Sequence, residues 1–142
     1  MDAATKLKIR SAILIALFGL GSYSRVAAAA DIDVKLEGSQ EVPAVTTTAA
    51  GTGKITVADD GTVTGSIDTT GIDGTMAHIH TGAKGANGPP LITLTKSGNK
   101  FTVPPNSKLT DAQRASLDKG ELYINVHSAV HPSGEIRAQL QN

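Results

Sequence analysis

The feature that most constrains the fold is a series of short, β-branched segments separated by Gly, Pro, Asn and Asp. Such segments predict strands, and the residues between them predict turns. The expected strands lie at residues 34–36, 53–57, 63–67, 76–80, 91–95, 101–103, 122–127 and 135–140. Short strands with turns at this spacing favour a sandwich or a barrel over alternating α/β units. The sequence therefore predicts an all-β fold.

Two tight turns, one helix and one long loop are expected between these strands. Gly61 and Gly98 each lie in a turn sequence, where Gly supplies the positive φ angle that a hairpin requires. Thr110 followed by Gln113 predicts a helix that begins with a capping box. Gly120 can end that helix in the left-handed conformation. Residues 82–90 are rich in Gly and Pro and predict a long loop.

The first thirty residues have the three parts of a secretory signal. A positive head holds Lys6, Lys8 and Arg10, an apolar run covers residues 12–20, and four Ala residues end at Ala30. This order is typical of a signal peptide, and the apolar run is shorter than the ~20 residues that cross a bilayer. We expect a signal peptide at 1–30, cleavage after Ala30, and one domain at 31–142. The expected location is extracytoplasmic, periplasmic or secreted, with no transmembrane segment after cleavage.

Charge and composition exclude several classes of function. After residue 30 the chain has nine basic and twelve acidic residues, without a basic cluster, which argues against a nucleic-acid partner. The chain has no Cys, so disulfides and thiolate chemistry are excluded. Phe101 and Tyr123 are the only aromatic residues after residue 30, so the core is expected to consist of Val, Ile, Leu and Ala.

Several separated motifs resemble those of the chordin-type (CHRD) domain. They are LEGSQEVP at 36–43, AHIHTG at 77–82, GANGP at 85–89, GELYINVH at 120–127 and PSGEIRAQ at 132–139. The resemblance extends over most of the predicted domain. It implies an immunoglobulin-like Greek-key β-sandwich with one short helix, distantly similar to copper/zinc superoxide dismutase, and an extracytoplasmic location. It implies no particular reaction, because a fold does not determine a function.

Four histidines are the candidate chemical groups after residue 30. Side chains alternate across a strand, so His78 and His80 share one face while Ile79 takes the other, and His127 lies opposite the apolar residues of its own strand. If the apolar side chains face the core, these histidines lie on outer, polar faces, and they converge if the strands are neighbours. Imidazoles two residues apart can close on one ion, and imidazole suits copper, zinc and nickel. The predicted metal ligands are His78, His80, His127 and His131, with copper expected ahead of zinc.

A purely structural role for the same histidines remains an alternative. His78 and His80 could hydrogen-bond to the backbone of the 82–90 loop, His127 could pair with Glu135, and His131 could be an exposed turn residue. We expect Glu135 and Arg137 to have structural roles, since charge partners stabilise sheets. Arg137, with five donors, is an expected anchor for the carbonyl groups of the 82–90 loop.

Enzymatic activity is not expected. A dismutase would need the zinc-site sequence and disulfide that this chain lacks, and no nucleophile turn points to a hydrolase. Two functions remain, and the expected partner is a metal ion for the first and an envelope protein for the second. One is an exported, non-enzymatic metal-binding protein, most simply a copper protein. The other is a structural or interaction module of the cell envelope that holds no metal.

Overall fold

The computed structural model describes residues 29–141. The predicted signal peptide lies outside these residues, apart from its last two positions. In the described part, nine strands and one α-helix follow one another as β1 (Ala30–Glu37), β2 (Ala50–Val57), β3 (Val63–Thr70), β4 (Gly74–Thr81), β5 (Pro90–Thr93), β6 (Thr95–Ser97), β7 (Lys100–Thr102), α1 (Asp111–Asp118), β8 (Leu122–Ser128) and β9 (Ile136–Leu140). A single 3-10 turn, Gly38–Gln40, follows β1. The prediction of an all-β fold with one short helix is confirmed.

All nine strands belong to one antiparallel sheet in the order β5-β4-β8-β9-β1-β2-β3-β7-β6. The segment predicted as one strand at 91–95 is divided by Leu94 between β5, which pairs with β4, and β6, which pairs with β7. The Leu94 amide donates to the carbonyl of Ala77, 2.9 Å away. β5 and β6 are the two ends of the strand order, and only Leu94 separates them along the chain. The sheet is therefore nearly closed. The immunoglobulin-like Greek-key detail stays a prediction.

The interior is aliphatic, as the composition predicts, with one aromatic ring. Phe101 is fully buried among Val, Ile, Leu and Ala side chains. The residues expected to face inward are all buried: Ile79, Leu122, Ile124, Val126, Ile136, Ala138 and Leu140. Alternation across β4, β8 and β9 therefore predicts the core face correctly, and it determines which side chains take the opposite face.

The helix forms as its capping residues predict. The Thr110 hydroxyl accepts from the amide of Gln113, and the Gln113 side chain accepts from the amide of Thr110. Gly120 has a φ angle of +69°, the left-handed conformation that ends α1. Leu117 is the buried residue of α1 and belongs to the core, and β8 follows the helix after three residues.

Candidate metal centre

The polar residues of β4, β8 and β9 form rows across the second face of the sheet. His80 is paired with Tyr123, which is paired with Gln139. The next row holds His78, Asn125 and Arg137. A third row pairs Met76 with His127. The sequence-based prediction that these histidines meet on one face, opposite the core, is confirmed.

This face is buried, so the sequence-based prediction that the histidines lie on an outer face is wrong. His80 is 8% exposed, His127 7% and Arg137 1%, while His78 is half-buried. Three loops cover the face: the β1–β2 loop (residues 38–49), the β4–β5 loop (82–89) and the β8–β9 loop (129–135). Strand alternation distinguishes the two faces of a sheet but carries no information about loops that fold over one of them.

Three of the four histidines form one cluster, made of His78, His80 and His127. One ring nitrogen from each lies within 4.8 Å of the corresponding atoms of the other two. His78 Nδ1 is 3.0 Å from His127 Nε2. The rings of His78 and His80 stand edge to face, with centroids 5.4 Å apart. Three imidazole nitrogens at this spacing are a donor set that suits copper or zinc.

Backbone carbonyls determine the tautomers of the two buried histidines. His80 Nδ1 is 2.9 Å from the carbonyl oxygen of Gly88, and His127 Nδ1 is 2.9 Å from that of Pro132. A carbonyl oxygen only accepts, so each Nδ1 carries the hydrogen and donates it. In the neutral imidazole each Nε2 is then left with a lone pair that can accept a hydrogen bond or bind a metal ion. His78 Nδ1–H donates to the lone pair of His127 Nε2, whereas His80 Nε2 is buried without a partner.

Burial and neighbouring positive charge favour the neutral form of His78 and His80. The pKa of His78 is lowered by burial first and then by the neighbouring rings of His127 and His80. Burial also lowers the pKa of His80, and the nearby His127 and Arg137 add to this shift, whereas the hydrogen bond to Gly88 and the side chain of Asn125 oppose it. Neutral imidazoles are the form that binds a metal ion.

A stack of side chains holds the ring of His80 in position. It lies parallel to the ring of Tyr123, with centroids 4.7 Å apart. The guanidinium of Arg137 covers the other face of that ring, 3.5 Å from its centre. Arg137 also donates to the carbonyl of Ala83, at 3.1 Å, and to Asn87 Oδ1, at 3.2 Å. Its expected role as an anchor of the β4–β5 loop is confirmed.

Two polar residues of this layer escaped the sequence analysis. Glu41 and Asn125 are buried, and each has a side-chain oxygen without a hydrogen-bond partner. Burial raises the pKa of Glu41, and the positive charge of Arg137 offsets part of that effect. Asn125 could have been found from the sequence, because it lies on the same face of β8 as Tyr123 and His127. Glu41 lies in a loop, where no periodicity reveals its direction.

His131 does not join the other three histidines in the cluster. It lies half-buried in the β8–β9 loop, where its amide donates to the hydroxyl of Ser128. Glu135 accepts from Ser128 at 2.5 Å and from Thr47 at 2.7 Å, so it ties the β8–β9 loop to the β1–β2 loop. Burial opposes ionisation of Glu135, but these hydrogen bonds and the nearby His131 outweigh it, and its pKa is lowered. The pairing of His127 with Glu135, one of the structural alternatives, is not among these contacts.

Comparison with known proteins bears on the family alone. Within residues 29–141 no helix is both long and apolar enough to cross a bilayer. Searches of curated proteins and of solved structures found no match to the chain. The family model of the CHRD domain matches residues 32–140, which extend from β1 to the end of β9. The chain therefore belongs to the CHRD-domain family, as its motifs predict.

Proposed function

We propose that this chain is an exported, non-enzymatic CHRD-domain protein that binds a copper ion through His78, His80 and His127. The observation that carries the proposal is the pair of carbonyl hydrogen bonds at His80 and His127. Metal-binding histidines commonly donate their other ring N–H to a carbonyl or carboxylate, which sets the tautomer and orients the ring. Gly88 and Pro132 supply that arrangement here: His127 Nε2 lies 3.0 Å from His78 Nδ1, and His80 Nε2 is buried without a hydrogen-bond partner.

The distribution of unpartnered atoms supports a cation in this layer. In the part of the chain that the structure describes, the buried side-chain atoms without a partner are Glu41 Oε1, His80 Nε2 and Asn125 Oδ1. All three can accept, and all belong to the polar layer around the cluster. A buried acceptor without a partner costs about 1–3 kcal/mol. A metal ion at His80 Nε2 would remove part of that cost.

Copper is the metal proposed because the donors are imidazoles. Nitrogen ligands generally bind Cu²⁺ more tightly than Zn²⁺. His131, the fourth ligand expected from the sequence, is left out of the proposed site because it is not part of the cluster. A ligand from the solvent, or a neighbouring side chain, would complete the coordination.

The experiment compares copper binding by the parent protein and by a variant that keeps both carbonyl hydrogen bonds. In the double variant His80→Asn, His127→Asn, each side-chain amide can still donate in the manner of Nδ1, but Nε2 is gone. Calorimetric titration with Cu²⁺ should give one site per parent chain with a Kd below about 1 μM. The double variant should lose this binding.

His131→Ala is the matched control, because it removes a histidine that lies outside the cluster. It should bind copper like the parent protein. A parent that does not bind, or a double variant that binds as well as the parent, would contradict the proposal. The alternative would then hold: the same hydrogen bonds from His80, His127 and Arg137 secure the covering loops of a metal-free structural or interaction module, whose partner is an envelope protein.

Export is the second part of the proposed function and has its own test. N-terminal sequencing of the protein recovered from its cells should begin at or near Asp31, in an extracytoplasmic fraction. Met1 or Asp2 at the N-terminus of membrane-bound protein would refute export and leave the metal site unaffected.

A further inference from the structure

Met76 lies on the same face of β4 as His78 and His80, at the edge of the cluster. It is the register partner of His127 on β8. Side chains directly opposite in an antiparallel pair have Cβ atoms about 4.5–5.5 Å apart. Met76 also precedes His78 by two residues, so the two side chains leave the strand in the same direction. The side chain of Met76 therefore leaves β4 next to those of His78 and His127.

This side of the cluster is also where it opens to solvent. Met76 is 48% exposed and His78 is half-buried, whereas His80 and His127 are buried. An ion that enters the cluster reaches Met76 and His78 first. The long, unbranched side chain of methionine adapts its shape readily, and its sulfur is polarisable. Its exposure leaves it free to turn towards the histidines.

We propose that the sulfur of Met76 is the fourth ligand, and that the site therefore takes copper as Cu(I). This inference rests on the proposed function. Thioether sulfur is a soft ligand that selects Cu(I), while imidazole accepts several metals. The chain has no Cys, and its other methionine is Met1. Met76 is therefore the soft ligand that can reach a metal ion held by the three histidines. The site would hold three nitrogens and one sulfur.

The test separates the sulfur from the shape of the side chain. Met76→Leu removes the sulfur, and swaps of this kind between Leu and Met are well tolerated. Affinity for Cu(I) is measured without oxygen, by competition with a coloured Cu(I) chelator, and affinity for Zn²⁺ is measured in parallel. The variant should lose at least about tenfold in Cu(I) affinity, equal to about 1.4 kcal/mol. Its Zn²⁺ affinity should match the parent's, because zinc sites use Cys, His and carboxylate ligands.

Val130→Ala is the control for loss of an exposed apolar side chain that is not part of the three-histidine cluster. Val130 is 80% exposed, and its replacement should leave Cu(I) affinity unchanged. Equal Cu(I) affinities in the parent and Met76→Leu would overturn the assignment of Met76 while leaving the three-histidine site standing. Absence of any Cu(I), Cu²⁺ or Zn²⁺ binding in the parent would instead refute the proposed function itself.

A spectroscopic readout identifies the ligand directly. In protein labelled with ¹³C at the methionine methyl groups, the signal that is missing from Met76→Leu belongs to Met76. That signal should shift much further when Cu(I) is added to the parent than when Zn²⁺ is added. A Met76 signal that does not respond to saturating Cu(I) would overturn the inference.

Discussion

A methyl group added at Gly88 tests whether the β4–β5 loop orients the ring of His80. The carbonyl of Gly88 accepts from His80 Nδ1, and the Gly88 amide lies 3.3 Å from the hydroxyl of Tyr123. A Cβ atom on Gly88 would overlap the carbonyl oxygen of Thr81, which is a backbone atom. The loop must therefore move, and the Gly88 carbonyl moves with it.

The expected effect of Gly88→Ala has two parts. Forcing an extra carbon into a packed site costs about 1–3 kcal/mol in the free energy of unfolding. Loss of the hydrogen bond that orients a ligand typically lowers metal affinity by about 10–100-fold. The copper affinity of Gly88→Ala should therefore fall by that factor, although position 88 contributes no ligand.

Gly85→Ala, in the same loop, is the matched control. Gly85 has a φ angle of +80°, so an Ala there is strained, at a cost of about 1–2 kcal/mol. No atom lies within 4 Å of the added Cβ, so the loop can keep its position. The two variants should lose similar stability, while Gly85→Ala keeps the parent's copper affinity.

Urea unfolding gives the stability of each variant, and calorimetry with Cu²⁺ gives its affinity. The reasoning is refuted if Gly88→Ala binds copper as tightly as the parent. It is equally refuted if both variants lose affinity by the same factor, because the loss would then follow stability and not the position of the Gly88 carbonyl.

The remaining predictions concern the core, a buried carboxyl group and pH. Ile124 is fully buried, so Ile124→Ala should cost about 2–5 kcal/mol in chemical denaturation. Lys96→Ala, at an exposed position, should stay within about 0.5 kcal/mol of the parent, and comparable losses would show that the inward face is misassigned. Because burial raises the pKa of Glu41 in the folded protein, stability falls as the pH rises from about 4.5 through that raised pKa; Glu41→Gln should therefore stabilise the protein at neutral pH, with the gain disappearing below about pH 4.5. A Gln variant that is less stable than the parent at neutral pH would show that the Glu41 charge is favourable. Because the pKa values of His78 and His80 are lowered from 6.5, copper affinity should be retained down to about pH 6.5 and fall below it as protons compete. An affinity that is the same at pH 5 and pH 7.5 would exclude imidazole ligands.

The strands, the helix and the composition of the site follow from local rules that the sequence displays. Alternation places Ile79 in the core and His78 and His80 opposite it, and the same rule places His127 on the polar face of β8. Thr110 and Gln113 reveal the helix start because a capping box depends on residues three apart. Convergence of the histidines then needs only the pairing of β4 with β8.

What the sequence does not reveal comes from contacts between distant segments of the chain. The partners of His80 and His127 are carbonyl groups of Gly88 and Pro132, and any residue type offers a carbonyl. Glu41 reaches the polar layer from a loop without periodicity. The same loops bury a face that alternation alone would expose, and they leave His131 in a turn outside the cluster.

Pulsed electron paramagnetic resonance of the protein loaded with one Cu²⁺ tests the metal site most directly, because it detects the remote nitrogens of coordinated imidazoles. The account predicts imidazole coordination in the parent and in His131→Ala, and its loss in the double variant His80→Asn, His127→Asn. A copper signal without coordinated imidazole, or the same imidazole signal in the double variant, would contradict it.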